Sequence, residues 1–264
     1  MTEHRQLITR SRLVGDLERL GLKAGMVLIV HSSLSSLGWV CGGPQAVIEA
    51  LQEVLGPKGT VVMPTHSAQL SDPADWEDPP VPESWWQTIR DEMPAYDKSL
   101  TPTRQMGVIA ETFRKADGVL RSGHPNTSFA AWGAHRHTIV DGHGLADSMG
   151  EDSPLARLYD LDAYILLLGV GHDRNTSIHL AEYRWSGASD QGLTEYAPIL
   201  VDGRRQWVEY SDINHNSDDF TAIGKAFAQV HKVRANRVGQ SKALLIPQPK
   251  IVDFAVEWME DNRD

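Results

Sequence analysis

The chain has 264 residues, 41% of them apolar, which is enough for one large core or two smaller ones. A formal net charge of -10 works against nucleic-acid binding by phosphate neutralisation and favours cationic partners. The single cysteine, Cys41, excludes an internal disulfide and a cysteine-built zinc cage. There is no run of about 18 apolar residues to span a membrane, and MTEHRQLITRSR at the start has no signal-peptide stretch. A cytoplasmic protein is the expectation.

In chain order, Leu13, Leu17 and Leu20 recur at helical spacing, and Gly21 follows as a stop. MVLIVH (26–31) reads as a buried strand, and QAVIEALQEVL as a helix opened by Pro44 and closed by Gly56. TVVMP (60–64) is a second buried strand. Apolar strands separated by a helix predict parallel pairing with helices on both faces. Residues 69–103 then change character. They are rich in Pro and Trp (Trp76, Trp85, Trp86) and hold Asp72, Asp75, Glu77, Asp78, Glu83, Asp91, Glu92 and Asp97 against Arg90 and Lys98. Such a long acidic segment reads as a lid or binding loop, with a solvated surface insertion as the alternative.

MGVIAETFRKA (106–116) and SPLARLYDL (153–161) read as helices, and AYILLLG (163–169) as the most apolar strand. NTSIHLAEYR (175–184) reads as a helix weakened by β-branched Thr176 and Ile178. PILV-DG-RRQWVEY (198–210) predicts a hairpin with Asp202-Gly203 in a primed turn. SDDFTAIGKAFAQVHK (217–232) predicts a helix with a serine cap and acids in its first turn; ALLIP and KIVDFAVEWMED follow as strand and helix. The expected fold is α/β: one domain over 1–264 with a central, largely parallel or mixed sheet, helices on both faces and a hairpin near 198–210.

Three stretches carry chemistry. HSSLSSLGWVCGG (31–43), between a strand and a helix, offers hydroxyls and backbone N–H groups as an anion cradle, but it has neither P-loop nor dinucleotide spacing. A polar turn is the alternative. In RQMGVIA (104–110), Arg104 and Gly107 imitate the pyrophosphate loop of the common acyltransferase superfamily, yet Ile109 stands where that loop needs Gly or Ala. A phosphate site at a helix start or a surface ion pair would both explain Arg104. In HLAE, His179 and Glu182 fall on one helical face behind the strongest strand, as a general base and its orienting carboxylate would. His31, His66, His124, His172 and His215 could converge on a metal, though H-x-x-E lacks metalloprotease spacing. Cys41 as a nucleophile and a structural role for His172 complete the alternatives.

VHSSLSSLG, GPKGTVVMPT, MGVIAETFR, RSGHPNTSFAAWG (121–133), DSPLARLYDL and LLLGVGHDRNTSIHLAEYR occur in the order seen in aminoglycoside 3-N-acetyltransferases, and the chain resembles that family over roughly residues 10–250. The resemblance implies an α/β fold distinct from the common acyltransferases, acetyl-CoA as co-substrate and no metal. It makes His179 the base, Glu182 its orienting group and Thr176 a donor to the oxyanion. It places coenzyme A at His31, Ser32, Ser33, Leu34 and Ser35, at Arg104, Met106, Gly107 and Val108, and at Ser153. The acceptor would be a cationic small-molecule amine, held by Asp72, His124, Asp212 and Asn214. Nucleic acid and membrane are not expected partners. Some relatives carry two acids where this chain has Asp212 and Asn214, so acceptor choice can differ. A different small amine as acceptor, or a non-catalytic cation- or coenzyme-binding protein, are the competing readings.

Overall fold

The structure, a computed structural model, describes residues 6–77 and 79–263; residues 1–5, Asp78 and Asp264 lie outside the described residues. In chain order the elements are β1 (Leu7–Ile8), α1 (Arg10–Leu20), β2 (Val27–Ser32), β3 (Trp39–Val40), α2 (Gly43–Leu55), β4 (Thr60–Pro64), α3 (Glu83–Glu92) and α4 (Gly107–Phe113). They continue with β5 (Leu120–Arg121), β6 (Phe129–Gly133), α5 (Arg136–Val140), α6 (Pro154–Asp160), β7 (Tyr164–Leu168) and α7 (His179–Arg184). The last are β8 (Gly192–Val201), β9 (Arg204–Ile213), α8 (Phe220–Val230), β10 (Arg234–Val238), β11 (Ser241–Pro247) and α9 (Gln248–Asn262).

Seven strands form the central sheet in the order β10-β11-β7-β2-β4-β6-β5. β2 runs parallel to both β4 and β7, while the flanking pairs are antiparallel. The sheet is therefore mixed, with its parallel part confined to the centre. Period-two alternation sorts the central side chains between two cores. Leu28, Val30, Val61, Met63, Leu166 and Leu168 meet residues of α1, α2 and α4 on one face. Val27, Ile29, Val62, Ile165 and Leu167 meet α5, α6, α7, α8 and α9 on the other. Each fully buried Leu, Ile or Val contributes about 1.5–3 kcal/mol relative to exposure. Both faces being covered explains why these strands read as unbroken apolar runs.

Several boundaries differ from the sequence expectation. Residues 175–184 are not one helix: a 3₁₀ turn at Thr176–Ile178 precedes α7, which starts at His179. The β-branched pair crowds the first turn, and the chain tightens there. Ser217 does not cap α8, which begins after Asp219. The hairpin is longer than the hydrophobic pattern suggested, and it forms its own two-stranded sheet. Its Asp202-Gly203 corner has φ of 52° and 74°, as a primed turn requires. β10, with the sequence RANRV, is a mostly exposed edge strand, and its charge hid it from an apolar scan.

The acidic segment is structured. It carries two 3₁₀ turns and α3, and it leans on the hairpin through Tyr96 N–H to the Pro198 carbonyl (2.8 Å) and Arg205 Nε–H to the Met93 carbonyl (2.7 Å). Its returning arm is pinned to the sheet by buried Arg121. That guanidinium donates to the carbonyls of Thr101 (2.6 Å) and Thr65 (2.7 Å) and to Ser128 Oγ (3.0 Å), and it lies 5.2 Å from the Tyr96 ring centroid. Replacing it with leucine strands these buried acceptors, each at a cost of about 1–3 kcal/mol. Arg121→Leu should lower the unfolding free energy by about 3 kcal/mol or more. It should also expose 95–103 to limited proteolysis; an unchanged denaturant midpoint would refute the pinning.

Candidate active site

β2, β4 and β7 run the same way, so their carboxyl ends lie side by side. A cleft of about 1080 Å³ opens there, lined from β2 onward by Val30 to Ser35, past β4 by Pro64 and His66, and past β7 by Val170, Thr176 and His179. Met106, Gly107, Val108, Trp39, Met149, Ser217 and Phe220 complete much of its wall. Gly169 ends β7 at φ +73°, and a Cβ there would collide with Ser36 Oγ, so only glycine lets the serine turn close on the strand end. The serine stretch itself is a 3₁₀ turn, Leu34–Leu37, separated from α2 by β3. The N–H groups of Ser33 and Ser36 already pair with the Leu168 and Ser33 carbonyls. It is a hydroxyl-rich wall more than an open N–H cradle.

His179 stands at the start of α7 with its imidazole 15% exposed, and the Glu182 carboxylate behind it is 2% exposed. Nδ1 lies 2.5 Å from Glu182 Oε2; facing a carboxylate, it carries the ring proton. The other carboxylate oxygen accepts from Arg263 Nη1 (2.8 Å) and from the Asn216 N–H (3.0 Å). Burial alone would raise the pKa of Glu182, but the His179, Arg263 and Asn216 bonds outweigh it and hold the group below the ordinary carboxylate range.

The imidazole is enclosed by rings. Phe220 lies 4.8 Å and His215 5.1 Å away, centroid to centroid. The Tyr183 hydroxyl donates to Asp212, so His215 Nε2, at 2.7 Å, donates to the phenol oxygen. Burial first, then the proximity of His179, pushes His215 down to about 4, and the same two causes push His31 down to about 3. His66 is likewise held well below its ordinary value, chiefly by burial. His31 follows Val27 and Ile29 on the β2 face that carries α7, which is how the register brings it toward His179. The Nε2 atoms of His31 and His66 are buried without a hydrogen-bond partner.

Of the residues expected at a site, His31, Ser32, Ser33, Leu34, Ser35, Met106, Gly107, Val108, Thr176 and His179 meet in this cleft. Others do not. Ser153 is fully buried and caps α6 through Leu155 N–H at 3.1 Å. Arg104 is exposed outside the lining; its own N–H bonds the His66 carbonyl. His124 is 1% exposed, with Nδ1 accepting from the Asn126 and Thr127 N–H groups and Nε2 bonded to the Leu145 carbonyl. Both oxygens of Asp72 are taken by Arg90 at 2.7 and 2.9 Å. Asp212 is buried under Tyr183, and Asn214 is exposed at the hairpin exit. His172 packs its ring where a Gly224 side chain would otherwise sit, a structural role. Among the described residues, no three His, Cys, Asp or Glu side chains converge as a metal cage would need.

Sequence reasoning missed Arg263 and Asn216, which no local motif marks; it weighed His66 only as a metal ligand and assigned Trp39, inside the serine-rich stretch, no role of its own. Arg263 is 81 positions from Glu182.

The family model described as aminoglycoside 3-N-acetyltransferase matches residues 29–260. The chain belongs to that family. It is 47% identical over 255 residues to the Bacillus subtilis SPbeta prophage-derived aminoglycoside N(3')-acetyltransferase-like protein YokD, covering 96% of this chain and 93% of the relative. The crystal structure of YokD superposes with a TM-score of 0.95, covering 97% and 95% of the two chains at 45% identity. Aminoglycoside N(3)-acetyltransferase VIII of Streptomyces fradiae is 35% identical, with 97% and 93% covered. The structure titled AAC-IIIb binary with CoASH matches at a TM-score of 0.86 and 29% identity, over 97% of each chain. The mixed α/β architecture of this acetyltransferase is thus shared, and its activity class is acyl transfer.

In this acetyltransferase the depressed Glu182 pKa has a consequence for stability. A carboxylate whose folded pKa is lowered contributes stability above its unfolded value, near 4.5, and loses that contribution as pH falls through the folded value. Glu182→Gln should therefore flatten the fall in stability on acidification below about pH 4.5, read from denaturant midpoints against pH. A parallel curve for the variant would show that Glu182 is not depressed in the folded chain.

Proposed function

We propose that the chain transfers the acetyl group of acetyl-CoA to the 3-amino group of an aminoglycoside by direct attack, with His179 as general base. The observation that carries this reading is the His179–Glu182 pair. Glu182 fixes the proton on Nδ1, which leaves Nε2 as the basic atom, and the imidazole borders the cleft. The amine nitrogen bonds to the acetyl carbon as the carbon–sulfur bond breaks. One amine proton passes to His179 and is returned to the departing thiolate, so no acyl-enzyme forms and Cys41 is not needed. An amine that arrives as an ammonium ion first releases one proton to solvent.

Thr176, His31 and His66 line the cleft where the carbonyl oxygen would develop charge, and Nε2 of each of these two imidazoles is buried without a hydrogen-bond partner. Held neutral, both imidazoles can donate an N–H there without placing a cation beside His179. The serine turn and Met106–Val108 offer a polar wall and an apolar wall for the pantetheine arm, and coenzyme A bound to a structural relative supports that donor.

The acceptor reading rests on charge. Burial, then Asp212, Asp75 and Asp72, push the Glu195 pKa up; burial, Asp212 and Asp152 do the same to Asp147. Carboxylates crowded this way are relieved by a polycation. Names of the curated relatives agree with an aminoglycoside in that role.

The deciding assay is release of coenzyme A thiol from acetyl-CoA, with chelator, against gentamicin, kanamycin, neomycin, apramycin and no acceptor. Drug-dependent release is expected; release without acceptor would indicate a hydrolase, and silence with coenzyme A still bound would indicate a different amine. His179→Ala should reduce turnover by about 10²–10⁴-fold while retaining coenzyme A binding. Full activity in that variant would remove His179 as the base.

Trp39 is 54% exposed and lines the same cleft, so its indole is an available platform for the adenine ring at the mouth. Trp39→Ala should raise KM for acetyl-CoA about tenfold, on the scale of one base–aromatic stack, and leave KM for S-acetylpantetheine unchanged. Equal effects on both donors would rule out adenine stacking.

A further inference from the structure

Behind the dyad, the Arg263 guanidinium uses four N–H donors at once. Nε and Nη2 clamp Asp219 (2.7 and 2.8 Å), Nη2 also reaches the Asn216 carbonyl (2.8 Å), and Nη1 holds Glu182 Oε1 (2.8 Å). The side chain is 15% exposed, and its charged end lies 5.8 Å from the Trp185 ring centroid. Three separate pieces of the fold meet at this one group: the C-cap of α9, the N-cap of α8 and the second half of α7. A planar fork with most of its donors committed cannot swing, so the oxygen it holds is fixed in place.

We propose that Arg263 is the positioning residue of the dyad: it holds the Glu182 carboxylate in line with His179 Nδ1 and balances its charge. The inference rests on His179 acting as the base.

The charge count shows why balance matters. Glu182 and Asp219 against Arg263 leave a net charge of about −1 beside a neutral imidazole, and proton uptake by His179 brings the group to neutrality. Without the guanidinium the count is about −2, so the dyad holds its proton too firmly and its carboxylate is free to turn. The other titratable groups facing His179 are His31 and His66 from the strand side, and His215 with Tyr183 and Asp212 from the hairpin side. All are untouched by a change at position 263. The same fork also ties the dyad to the 216–219 loop, whose Ser217 borders the cleft beside Phe220.

The test compares Arg263→Gln, Arg263→Lys, Glu182→Gln and the double variant Glu182→Gln/Arg263→Gln in steady-state acetyl transfer, with thermal melts confirming folded protein. Arg263→Gln should lower kcat about 10–100-fold, the range of outer-shell partners, with KM for acetyl-CoA within about twofold. The acid limb of its kcat/KM profile should move up by about one pH unit. Arg263→Lys restores the charge but not the fork, so it should return the limb toward its original position and recover only part of kcat. The double variant should be no slower than Glu182→Gln alone, because Arg263 acts through that carboxylate. If Arg263→Gln does not fold, Arg263→Lys decides: reduced kcat supports positioning, and wild-type kcat overturns it. Wild-type kcat and pH limb in a folded Arg263→Gln, or additive losses in the double variant, would also overturn it. If the wild-type protein transfers acetyl to no aminoglycoside, the parent reading fails; if it does and Arg263→Gln matches it, only the positioning role fails.

Discussion

Burial of β2, β4 and β7 on both faces is the constraint from which the rest follows. Three apolar strands can satisfy that burial only in the interior of a sheet with helices on each side. Two of the pairings among them are parallel, which aligns the carboxyl ends of all three. The residues at and just beyond the strand ends, His31 to Ser35, His66, Thr176 and His179, are then delivered to one cleft. Their sequence separation is large, but their place at the strand ends is shared.

Electrostatics in that cleft depends on what burial leaves charged. Histidines at 31, 66 and 215 are kept neutral, so the space beside His179 holds donors and acceptors without competing cations. Glu182, the buried carboxylate bonded to His179, stays ionised because Arg263 and a backbone N–H engage the oxygen that His179 does not. On the hairpin side the balance reverses. Asp147, Glu195 and Asp212 crowd together, and among them Glu195 and Asp147 are pushed upward. One molecule thus keeps a neutral, ring-lined space near its base and an anionic surface beyond it.

The acidic segment, expected as a lid, binding loop or surface insertion, is held in place by partners far away in the chain. Its charge and tryptophans predict more than a connector, and it is ordered against the hairpin through Tyr96 and Arg205 and against the sheet through Arg121. Yet none of its described residues lines the cleft, and Asp72, the carboxylate singled out there, is committed to Arg90. Similarly, His124 and Ser153 sit in distinctive motifs because they bond backbone groups in tight corners. A motif records a demanding local geometry, whether that geometry serves a ligand or the fold.

The sequence by itself determined the central strands, most helices and the hairpin corner, since each is set by local periodicity or turn chemistry. It put Glu182 on the helical face of His179 but left the partner open; the structure decided that Glu182 bonds the imidazole. The order of strands, the antiparallel flanks and the edge strand Arg234–Val238 were decided by tertiary pairing, where hydrogen bonds between distant segments override weak or charged local patterns. Side-chain allegiance was decided there as well. Whether a carboxylate or imidazole faces the cleft or a buried partner depends on which distant group arrives beside it. Arg90 arrives at Asp72 and Arg263 at Glu182, contacts that burial and chain folding make and that no local spacing encodes.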